Sequence, residues 1–329
     1  MAVAAPGRSK PPSASLPFGR QPIATSHQRM RRVSLVGVCL ITACASAGPL
    51  ASQRPAPNAH GYLVIVGGGP VPDEIDRRFV DLAGGAGKAR IVVLPMASES
   101  GAESGAEKAA SFRKLGAVSA VSLNLTRQDT GADSVARLLG QATGIWFPGG
   151  DQNRLTAAIL GTAVLDSIRS RYRHGAVVGG TSAGAAVMSD PMISGDERRP
   201  GGSRPPADSS DGWMTIDRDD VVLVPGFGLL PNVMVDQHFL RRRRHNRLIS
   251  VVLEHPTVVG IGIDESTALV VSPKGPWQVI GASQATIYDA RRATVTPPGK
   301  PFGASEIRMH VVPAGGTFDL ATGASTIGK

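Results

Sequence analysis

Cysteine is almost absent from this sequence, which contains only Cys39 and Cys44 among 329 residues. Both lie within the first 47 residues, so the rest of the chain has no disulfide, no thiol nucleophile and no thiolate metal site. A cysteine-dependent hydrolase is therefore excluded. The stability of the folded part has to come from packing.

Acidic side chains are missing from residues 1–47, which carry six Lys or Arg residues. The formal net charge of the whole chain is +9, and without these six positive charges it is +3. The high isoelectric point therefore belongs mainly to the N-terminal segment, and the remainder has the charge balance of an ordinary soluble surface. We expect no nucleic-acid partner.

The apolar run in the N-terminal segment is too short for a stable membrane anchor, since residues 33–43 are only eleven. This run follows Met30-Arg31-Arg32 and precedes small residues at 45–47, which is the pattern of a signal peptide. Residues 41–44 resemble the bacterial lipobox, in which Cys44 would carry lipid. The alternative is cleavage after Ala47.

Three parts are therefore predicted: a leader over residues 1–47, a proline-containing linker over 48–60, and a single domain over 61–329. Residues 1–29 form an unusually long preface to a signal peptide. Translation is therefore expected to start at Met1 or at Met30.

Short continuous apolar runs alternate with segments of helical periodicity from residue 61 to about residue 180. Buried strands separated by helices are typical of a parallel sheet that is covered on both faces. We therefore predict an α/β fold with a doubly wound, mostly parallel sheet. The predicted strands are 62–66, 90–96, 144–147 and 176–179, and the predicted helices lie around 75–82 and at 104–115, 134–139 and 151–170.

The pattern changes after about residue 268, where short β-type segments are broken by Gly and Pro. They predict a β-rich C-terminal element that completes the sheet edge or packs beside it. Its segments are 268–271, 277–280, 285–288 and 309–312. Residues 195–220 are dense in Gly, Pro, Asp, Arg and Ser, and we predict that they form one long loop.

Three consecutive glycines, residues 67–69, follow the first predicted strand. They do not complete the dinucleotide-binding motif Gly-x-Gly-x-x-Gly, because position 72 is proline. We interpret them as a tight strand-to-helix turn and expect no nucleotide cofactor.

Ser182 lies in a Gly-x-Ser-x-Gly frame, within the sequence Val-Val-Gly-Gly-Thr-Ser-Ala-Gly. This is the pattern of a nucleophile elbow, in which a strained strand-to-helix turn exposes the side chain and only small neighbours fit. The alternative is a glycine-rich turn in which the serine caps a helix.

A serine hydroxyl is a poor nucleophile unless a base takes its proton, so an elbow needs a histidine from another segment. His238 is the best candidate, because it follows a predicted core strand in the sequence Val-Asp-Gln-His-Phe. Its alternative role is that of a satisfied core histidine. The other histidines of the domain are interpreted as a helix cap (His174), a solvent-facing residue (His245), a turn residue (His255) and a residue of a late strand (His310).

Gly149 and Gly150 follow the predicted strand 144–147 and precede a helix. Glycines at this place let the backbone approach a bound carbonyl, so one of their N–H groups is predicted to stabilise an oxyanion together with the N–H of Ala183. The same turn fits an N-cap in which Asp151 accepts from the first helical turn. The two roles are compatible.

Four blocks of this sequence occur in the order and with the spacing of one known family. The blocks are Phe-Pro-Gly-Gly-Asp-Gln-Asn-Arg-Leu (147–155), Gly-Thr-Ser-Ala-Gly-Ala-Ala-Val-Met-Ser-Asp-Pro-Met-Ile (180–193), Asp-Gln-His-Phe with the arginines that follow it (236–247), and Gly-Ile-Asp-Glu-Ser-Thr-Ala-Leu (262–269). Over roughly residues 61–320 the chain resembles the cyanophycinases of peptidase family S51, which also contains the aspartyl dipeptidases.

This resemblance implies a serine-type hydrolase on a class I glutamine-amidotransferase-like (flavodoxin-like) scaffold, usually dimeric and without a metal or other cofactor. Cyanophycinases cut cyanophycin, a polyaspartate backbone whose β-carboxyls carry arginine, into β-aspartyl-arginine dipeptides. In this comparison Ser182 takes the position of the nucleophile and His238 that of the general base. Amidotransfer itself is not expected, because glutamine-hydrolysing amidotransferases use Cys where this chain has Ser.

The resemblance also implies a substrate cleft. The family's arginines fall at Arg242, Arg244 and Arg247, where they would bind substrate carboxylates through bidentate hydrogen bonds. An alternative for each arginine is a solvated helix face. The other predicted lining residues are Asp151, Gln152, Asp236 and Gln237, with Asp236 facing a substrate guanidinium.

The third member of the catalytic triad is expected in a loop after the serine. We favour Glu197, whose long side chain can reach back to the histidine, with Asp196 and Asp190 as alternatives. Asp264 and Glu265 also match the family, and we favour a buried structural pair near the site over the alternative, a direct part in the chemistry.

The sequence therefore predicts an exported serine peptidase that hydrolyses cyanophycin to dipeptides through an acyl-enzyme. The expected location is the periplasm, the outer membrane as a lipoprotein tethered through Cys44, or the medium. A homodimer is expected. The alternatives are an aspartyl or isoaspartyl dipeptidase of the same family and a non-catalytic exported peptide-binding protein.

Overall fold

The structure is a computed structural model, and it describes residues 61–197 and 215–328, without the side chains of Asp196 and Glu197. Its described helices follow the predicted periodicity closely. They are α1 (Asp73–Leu82), α2 (Gly101–Lys114), α3 (Asp133–Gln141), α4 (Gln152–Ile159), α5 (Ala163–Arg173), α6 (Ala183–Ala186) and α7 (His245–Glu254), with a 3₁₀ helix at Arg127–Gly131.

The described strands are shorter than most of the helices and lie mainly in two sheets. They are β1 (Leu63–Val66), β2 (Arg90–Val93), β3 (Ser119–Ser122), β4 (Gly144–Phe147), β5 (Val177–Thr181), β6 (Met192–Glu197), β7 (Val221–Val224), β8 (Val233–Asp236), β9 (Val259–Ile263), β10 (Thr267–Val271), β11 (Trp277–Gly281), β12 (Gln284–Asp289), β13 (Thr294–Val295), β14 (Ala304–Ser305), β15 (Arg308–Pro313), β16 (Thr317–Asp319) and β17 (Ala324–Thr326).

The large sheet has nine strands in the order β17-β16-β11-β10-β1-β5-β4-β2-β3. The five strands from β1 to β3 in this order pair in parallel, and β10, β11, β16 and β17 continue the sheet in antiparallel fashion. The prediction of an α/β fold with a mostly parallel sheet and a β-rich C-terminal element is confirmed. The C-terminal strands both complete the sheet edge and contribute to a second sheet.

The second sheet has four strands in the order β15-β12-β9-β8. Only β8 and β9 pair in parallel, with Asp236 opposite Gly262. The two strands therefore end at the same edge, and the residues that follow them come close together. This arrangement brings the segment after β8 next to the segment after β9.

Both faces of the large sheet are covered by apolar side chains. Along β1, Leu63 and Ile65 belong to one buried cluster and Val64 and Val66 to the other, because successive side chains of a strand point to opposite faces. A third cluster packs α7 against the second sheet through Leu248, Val251 and Val252. These cores hold the carboxyl ends of β1, β5, β8 and β9 in fixed places.

Three elements differ from the prediction. The strand β3 has no strong sequence signal, since its residues are Ser-Ala-Val-Ser. The predicted helix 151–170 is two helices, α4 and α5, because the chain turns at Gly161 with a φ of +70°. The strand β6 reaches into the first residues of the predicted loop 195–220. In the part of the chain that the structure describes, no helix is long and apolar enough to cross a membrane.

Candidate functional site

Ser182 stands on a strained turn at the carboxyl end of β5. Its backbone has φ 53° and ψ −112°, a conformation that L-residues with side chains rarely adopt. The N–H of Ser182 donates to the carbonyl of Val66 at 3.0 Å, which ties the turn to the end of β1. The turn expected of a nucleophile elbow is therefore present, followed by the four-residue helix α6.

His238 reaches the hydroxyl of Ser182 from the second sheet. The distance between Ser182 Oγ and His238 Nε2 is 2.9 Å, although the two residues are 56 positions apart in the chain. His238 lies two residues beyond the end of β8 and also has a positive φ, of 48°. Its N–H donates to the carbonyl of Gly67 at 2.6 Å, which holds the backbone in this conformation.

Glu265 is the acid that contacts His238. Its Oε1 accepts a hydrogen bond from His238 Nδ1 at 2.6 Å. A carboxylate can only accept, so Nδ1 carries the proton and Nε2 is left free to take the proton of the serine hydroxyl. Glu265 follows β9, whose parallel neighbour β8 leads to His238, and this explains their proximity.

This geometry corrects the prediction for the third triad member. The favoured residue, Glu197, and the alternative Asp196 have side chains outside the described residues, and the Nδ1 position that either would need is taken by Glu265. The other alternative, Asp190, accepts from the N–H of Gly226 at 3.1 Å. The interpretation of Glu265 as a purely structural residue is also replaced.

Asp264 keeps the structural role that we expected. Its Oδ1 accepts from the N–H of Arg241 at 3.2 Å, and its Oδ2 accepts from the hydroxyl of Ser283 at 3.1 Å. These bonds connect the turn after His238 with the strands of the second sheet. Adjacent acids therefore differ in function, because only the side chain of Glu265 points to the imidazole.

Burial lowers the pKa of His238 below its ordinary value of 6.5. The hydrogen bond that His238 donates to Glu265 acts in the opposite direction, and the positive charges of Arg242 and Arg244 lower the pKa further. The imidazole is therefore neutral at pH 7, the state that a general base requires.

Gly149, which is predicted to contribute an oxyanion N–H group, lies next to Ser182. An atom added as a Cβ at Gly149 would lie 3.3 Å from the Cβ of Ser182, so these two segments are in contact. In the described part of the chain, the N–H groups of Gly149, Gly150 and Ala183 donate to no backbone acceptor. Asp151 is the N-cap of α4 and accepts from Asn153 N at 2.8 Å, as the alternative interpretation predicted.

Asp236 and Arg247 form a fully buried pair behind the site. Nε of Arg247 donates to Asp236 Oδ2 at 2.7 Å, and Nη2 of Arg247 donates to Oδ1. The N–H of Gln237 also donates to Oδ1, at 2.8 Å. The predictions that Asp236 faces a substrate guanidinium and that Arg247 binds a substrate carboxylate are corrected, because each already binds the other out of contact with solvent.

Arg244 joins the same buried pair. Its Nη1 donates to the carbonyl of Gln237 at 2.6 Å and lies 3.5 Å from Asp236 Oδ1. Burial lowers the pKa of Arg244 to about 9, the charge of Arg247 contributes in the same direction, and Asp236 opposes the shift. Arg242, by contrast, is exposed and close to His238, so among the three predicted substrate arginines it is the most accessible.

The two predicted glutamines are both buried and differ in their contacts. The amide nitrogen of Gln152 donates to the carbonyls of Ile193 and Ser194, at 3.1 and 2.5 Å, and so attaches β6 to α4. Gln237 Oε1 is buried and accepts no hydrogen bond from the described residues. Gln152 therefore supports the wall of the site.

The remaining histidines lie away from Ser182. His174 ends α5 and donates from Nδ1 to the carbonyl of Ser170 at 2.7 Å, which confirms the predicted cap. His245 was expected in solvent, but it is half-buried, because its Nδ1 lies 2.6 Å from the hydroxyl of Tyr288 and its ring packs edge-on against Phe239.

Clusters suited to metal binding are not part of this site. Among residues 61–197 and 215–328, no group of three or more His, Cys, Asp or Glu side chains is placed to hold a metal ion.

Comparison with known proteins identifies the same region. The family model for peptidase family S51 matches residues 63–275. A cyanophycinase from Trichormus variabilis is 37% identical over 275 residues, covering 80% of this chain and 87% of the relative. A cyanophycinase from Synechococcus elongatus is 34% identical over 287 residues, covering 83% of this chain and 84% of the relative.

The fold also resembles a solved structure. A peptidase from an acI-B1 Actinobacterium superposes with a TM-score of 0.55 at 24% sequence identity, covering 77% of this chain and 99% of the other. This similarity supports the α/β architecture, and it says nothing further about substrate.

Proposed function

The chain belongs to peptidase family S51 and is a cyanophycinase-like, serine-type hydrolase, and on this premise we propose that Ser182, His238 and Glu265 are its catalytic triad. The observation that carries the proposal is the chain of two hydrogen bonds, 2.9 Å from Ser182 Oγ to His238 Nε2 and 2.6 Å from His238 Nδ1 to Glu265 Oε1. Nucleophile, base and orienting acid are thus aligned.

In the first half of the reaction, Ser182 Oγ attacks the scissile carbonyl carbon while His238 Nε2 takes the hydroxyl proton. The tetrahedral intermediate then collapses, the C–N bond breaks, and the imidazolium returns its proton to the leaving amine. Glu265 stabilises the imidazolium and keeps the ring in the required tautomer. Water attacks the resulting acyl-enzyme by the same steps and releases the acid.

The negative charge on the carbonyl oxygen is stabilised by backbone donors. The N–H of Ser182 is already used by Val66, so the first donor is the N–H of Ala183, and the second is that of Gly149 or Gly150. Because such donors are fixed before the reaction, they favour the transition state without a cost of reorganisation.

The proposed substrate is cyanophycin, and the products are β-aspartyl-arginine dipeptides. Two considerations support it: the curated relatives at 34–37% identity are cyanophycinases, and exposed Arg242 lies beside His238, where it can bind a free substrate carboxylate.

The experiment is incubation of the purified chain and of Ser182→Ala with cyanophycin, with β-Asp-Arg and with Asp-X dipeptides, followed by mass analysis of the products. We expect β-Asp-Arg from the polymer with the wild type only. Cleavage restricted to dipeptides would instead support the aspartyl or isoaspartyl dipeptidase. Absence of cleavage together with absence of labelling by a fluorophosphonate probe would leave the peptide-binding protein.

Export, lipidation of Cys44 and homodimerisation remain predictions. Residues 1–60, which contain the leader and linker, lie outside the described residues. Cell fractionation with mass analysis of the mature N-terminus tests them, and a chain that stays in the cytoplasm with residues 1–47 intact would contradict export.

A further inference from the structure

The segment that leaves β1 contacts all three parts of the proposed triad. We call residues Val66–Gly69 the β1 exit segment. Three successive carbonyls of this segment accept hydrogen bonds from three distant turns, each of which carries one triad residue or its neighbour. The bonds are Ser182 N to Val66 O at 3.0 Å, His238 N to Gly67 O at 2.6 Å, and Ser266 N to Gly68 O at 2.9 Å.

The side chains approach the same segment as closely as the backbones do. Gly68 has a φ of +111°, and an added Cβ there would lie 2.3 Å from Cε1 and 2.4 Å from Nε2 of His238. The imidazole therefore lies directly over the Cα of Gly68, in space that any other residue would fill. Nothing flexible separates the two, because the ring atoms themselves make the contact.

Glu265 has a similar contact with the next glycine. A Cβ added at Gly69 would lie 2.9 Å from the Cβ of Glu265 and 3.0 Å from Oε2. The far end of this side chain can move, so the restriction is weaker than at Gly68. Gly68 and Gly69 thus face the imidazole and the carboxylate. This packing explains why glycine is needed here, and no nucleotide-binding role has to be invoked.

We propose that the β1 exit segment is the positioning element of the triad and that Gly68 sets the place of the imidazole. This inference rests on the proposed function. Gly68 acts through His238 and is a positioning residue, since it moves no proton and forms no bond to substrate. Both Ser182 and His238 have positive φ. Their N–H groups donate to adjacent carbonyls of the β1 exit segment, and these bonds hold the two strained backbones at a fixed distance from each other.

The first test compares Gly68→Ala with Gly85→Ala. Gly85 also has a positive φ, of +81°, but nothing lies within 4 Å of an added Cβ, so it is the control for a methyl group that is added at a positive-φ glycine and makes no contact. A displacement of about 1 Å at the reacting groups lowers the rate roughly 100-fold. We expect Gly68→Ala to lower kcat by about this factor with KM nearly unchanged, and Gly85→Ala to retain the kcat of the wild type.

A proton NMR measurement distinguishes displacement of the ring from a general loss of structure. In the wild type, the proton between His238 Nδ1 and Glu265 should give a downfield signal. We expect folded Gly68→Ala to lose or shift this signal, and Gly85→Ala to keep it. A folded Gly68→Ala protein with wild-type kcat and an unchanged signal would overturn the inference.

A second test needs no activity and covers the case in which Gly68→Ala does not fold. In the His238→Ala background the imidazole is gone, so the added methyl group has room. We expect Gly68→Ala to lower the urea midpoint strongly, or to prevent folding, in the wild-type background. In the His238→Ala background, we expect Gly68→Ala to lower the midpoint much less. Equal effects in both backgrounds, including failure to fold in both, would overturn the inference.

Failure of the proposed function is recognised separately. Fluorophosphonate labelling of the wild-type chain at Ser182 reports an activated nucleophile independently of the substrate. An unlabelled, inactive wild type would contradict the triad itself. A labelled wild type whose labelling rate is unchanged by Gly68→Ala would contradict only the positioning role.

Discussion

The segment Asp236–His238 contributes to two clusters that each contain a hydrogen-bonded carboxylate and differ in how completely their groups are bonded. In one, the carboxylate of Asp236 accepts from Arg247 and Gln237, and both carboxylate oxygens are bonded. In the other, His238 has Glu265 on one side and Ser182 on the other, and Ser182 is partly exposed. The first cluster is saturated and buried, whereas the second keeps a reactive atom open.

Charged side chains near a site do not by themselves indicate catalytic chemistry. A buried ion pair whose lone pairs and protons are all used supports the local structure and is costly to break. A hydrogen-bonded chain that ends on a partly exposed hydroxyl can transfer a proton. Substitutions in the two clusters should therefore affect different measured quantities.

The largest effect is expected for His238→Ala. Without the base, kcat should fall at least about 10⁴-fold, because a triad acts as a unit. His174→Ala removes a surface helix cap and should leave kcat within about twofold. Steady-state hydrolysis of the substrate found active measures both, and substantial activity in His238→Ala would contradict the assignment of the base.

Next is Glu265→Gln, which keeps the size of the side chain but cannot stabilise an imidazolium in the same way. We expect kcat to fall by about 10⁴-fold, the loss typical when the acid of a triad is replaced by its amide. Glu197→Gln, at the position favoured by sequence, should keep most of the activity. The reverse ranking of these two variants would restore Glu197 as the triad acid.

Substitutions in the saturated cluster around Asp236 should lower the free energy of unfolding. Asp236→Asn leaves Arg247 buried without its charge partner, and we expect the free energy of unfolding to fall by about 3–5 kcal/mol. Asp73→Asn is the matched control, because its ion pair with Arg77 is on the surface at 3.9 Å and is worth at most about 1 kcal/mol. Urea unfolding measures both free energies. Equal losses would show that the buried pair stabilises the fold no more than the surface pair does.

A smaller effect is expected at the exposed arginine. Arg242→Gln should raise KM about 10-fold, because a hydrogen bond to a charged group contributes roughly 1.5 kcal/mol, and should leave the free energy of unfolding unchanged. The neighbouring exposed residue Arg241 provides the control, Arg241→Gln, for a general loss of positive charge. If both variants raise KM equally, Arg242 contributes to substrate binding through the long-range electrostatic field and not through a direct contact.

The smallest effect is on the pH profile. Since burial lowers the pKa of His238, kcat/KM should stay high down to a pH below 6.5 and fall as the pH drops through the pKa of the folded protein. The same group contributes stability that is present above its unfolded pKa and lost through that acid limb. Arg242→Gln should move the limb to higher pH and Glu265→Gln to lower pH, and opposite shifts would contradict the stated causes.

Much of the fold follows from local patterns. The strand Gly144–Phe147 was predicted with the observed bounds, and Ser182 was identified from small neighbours that a tight turn requires. Such features depend on residues close in sequence, so a short stretch of sequence is enough to predict them. The strand Ser119–Ser122 lacked this signal, because its place is determined by pairing with β2.

The acid partner could have been predicted better from strand ends. Glu265 follows an apolar run, as His238 does, and residues after neighbouring parallel strands meet at one edge of a sheet. Only one of Asp264 and Glu265 turns toward the imidazole. The backbone conformation after β9 decides which one, and no sequence pattern predicts that conformation.

The sequence by itself determined the alternation of helices and strands, the nucleophile turn at Ser182 and the choice of His238, because each depends on residue type and short-range spacing. Only the tertiary structure decided that Glu265 completes the triad, that Asp236 and Arg247 bind each other, and that the glycines after β1 lie against the imidazole. These facts depend on which strands are neighbours and how closely they pack, and contacts between segments tens to nearly two hundred residues apart are a property of the assembled sheets.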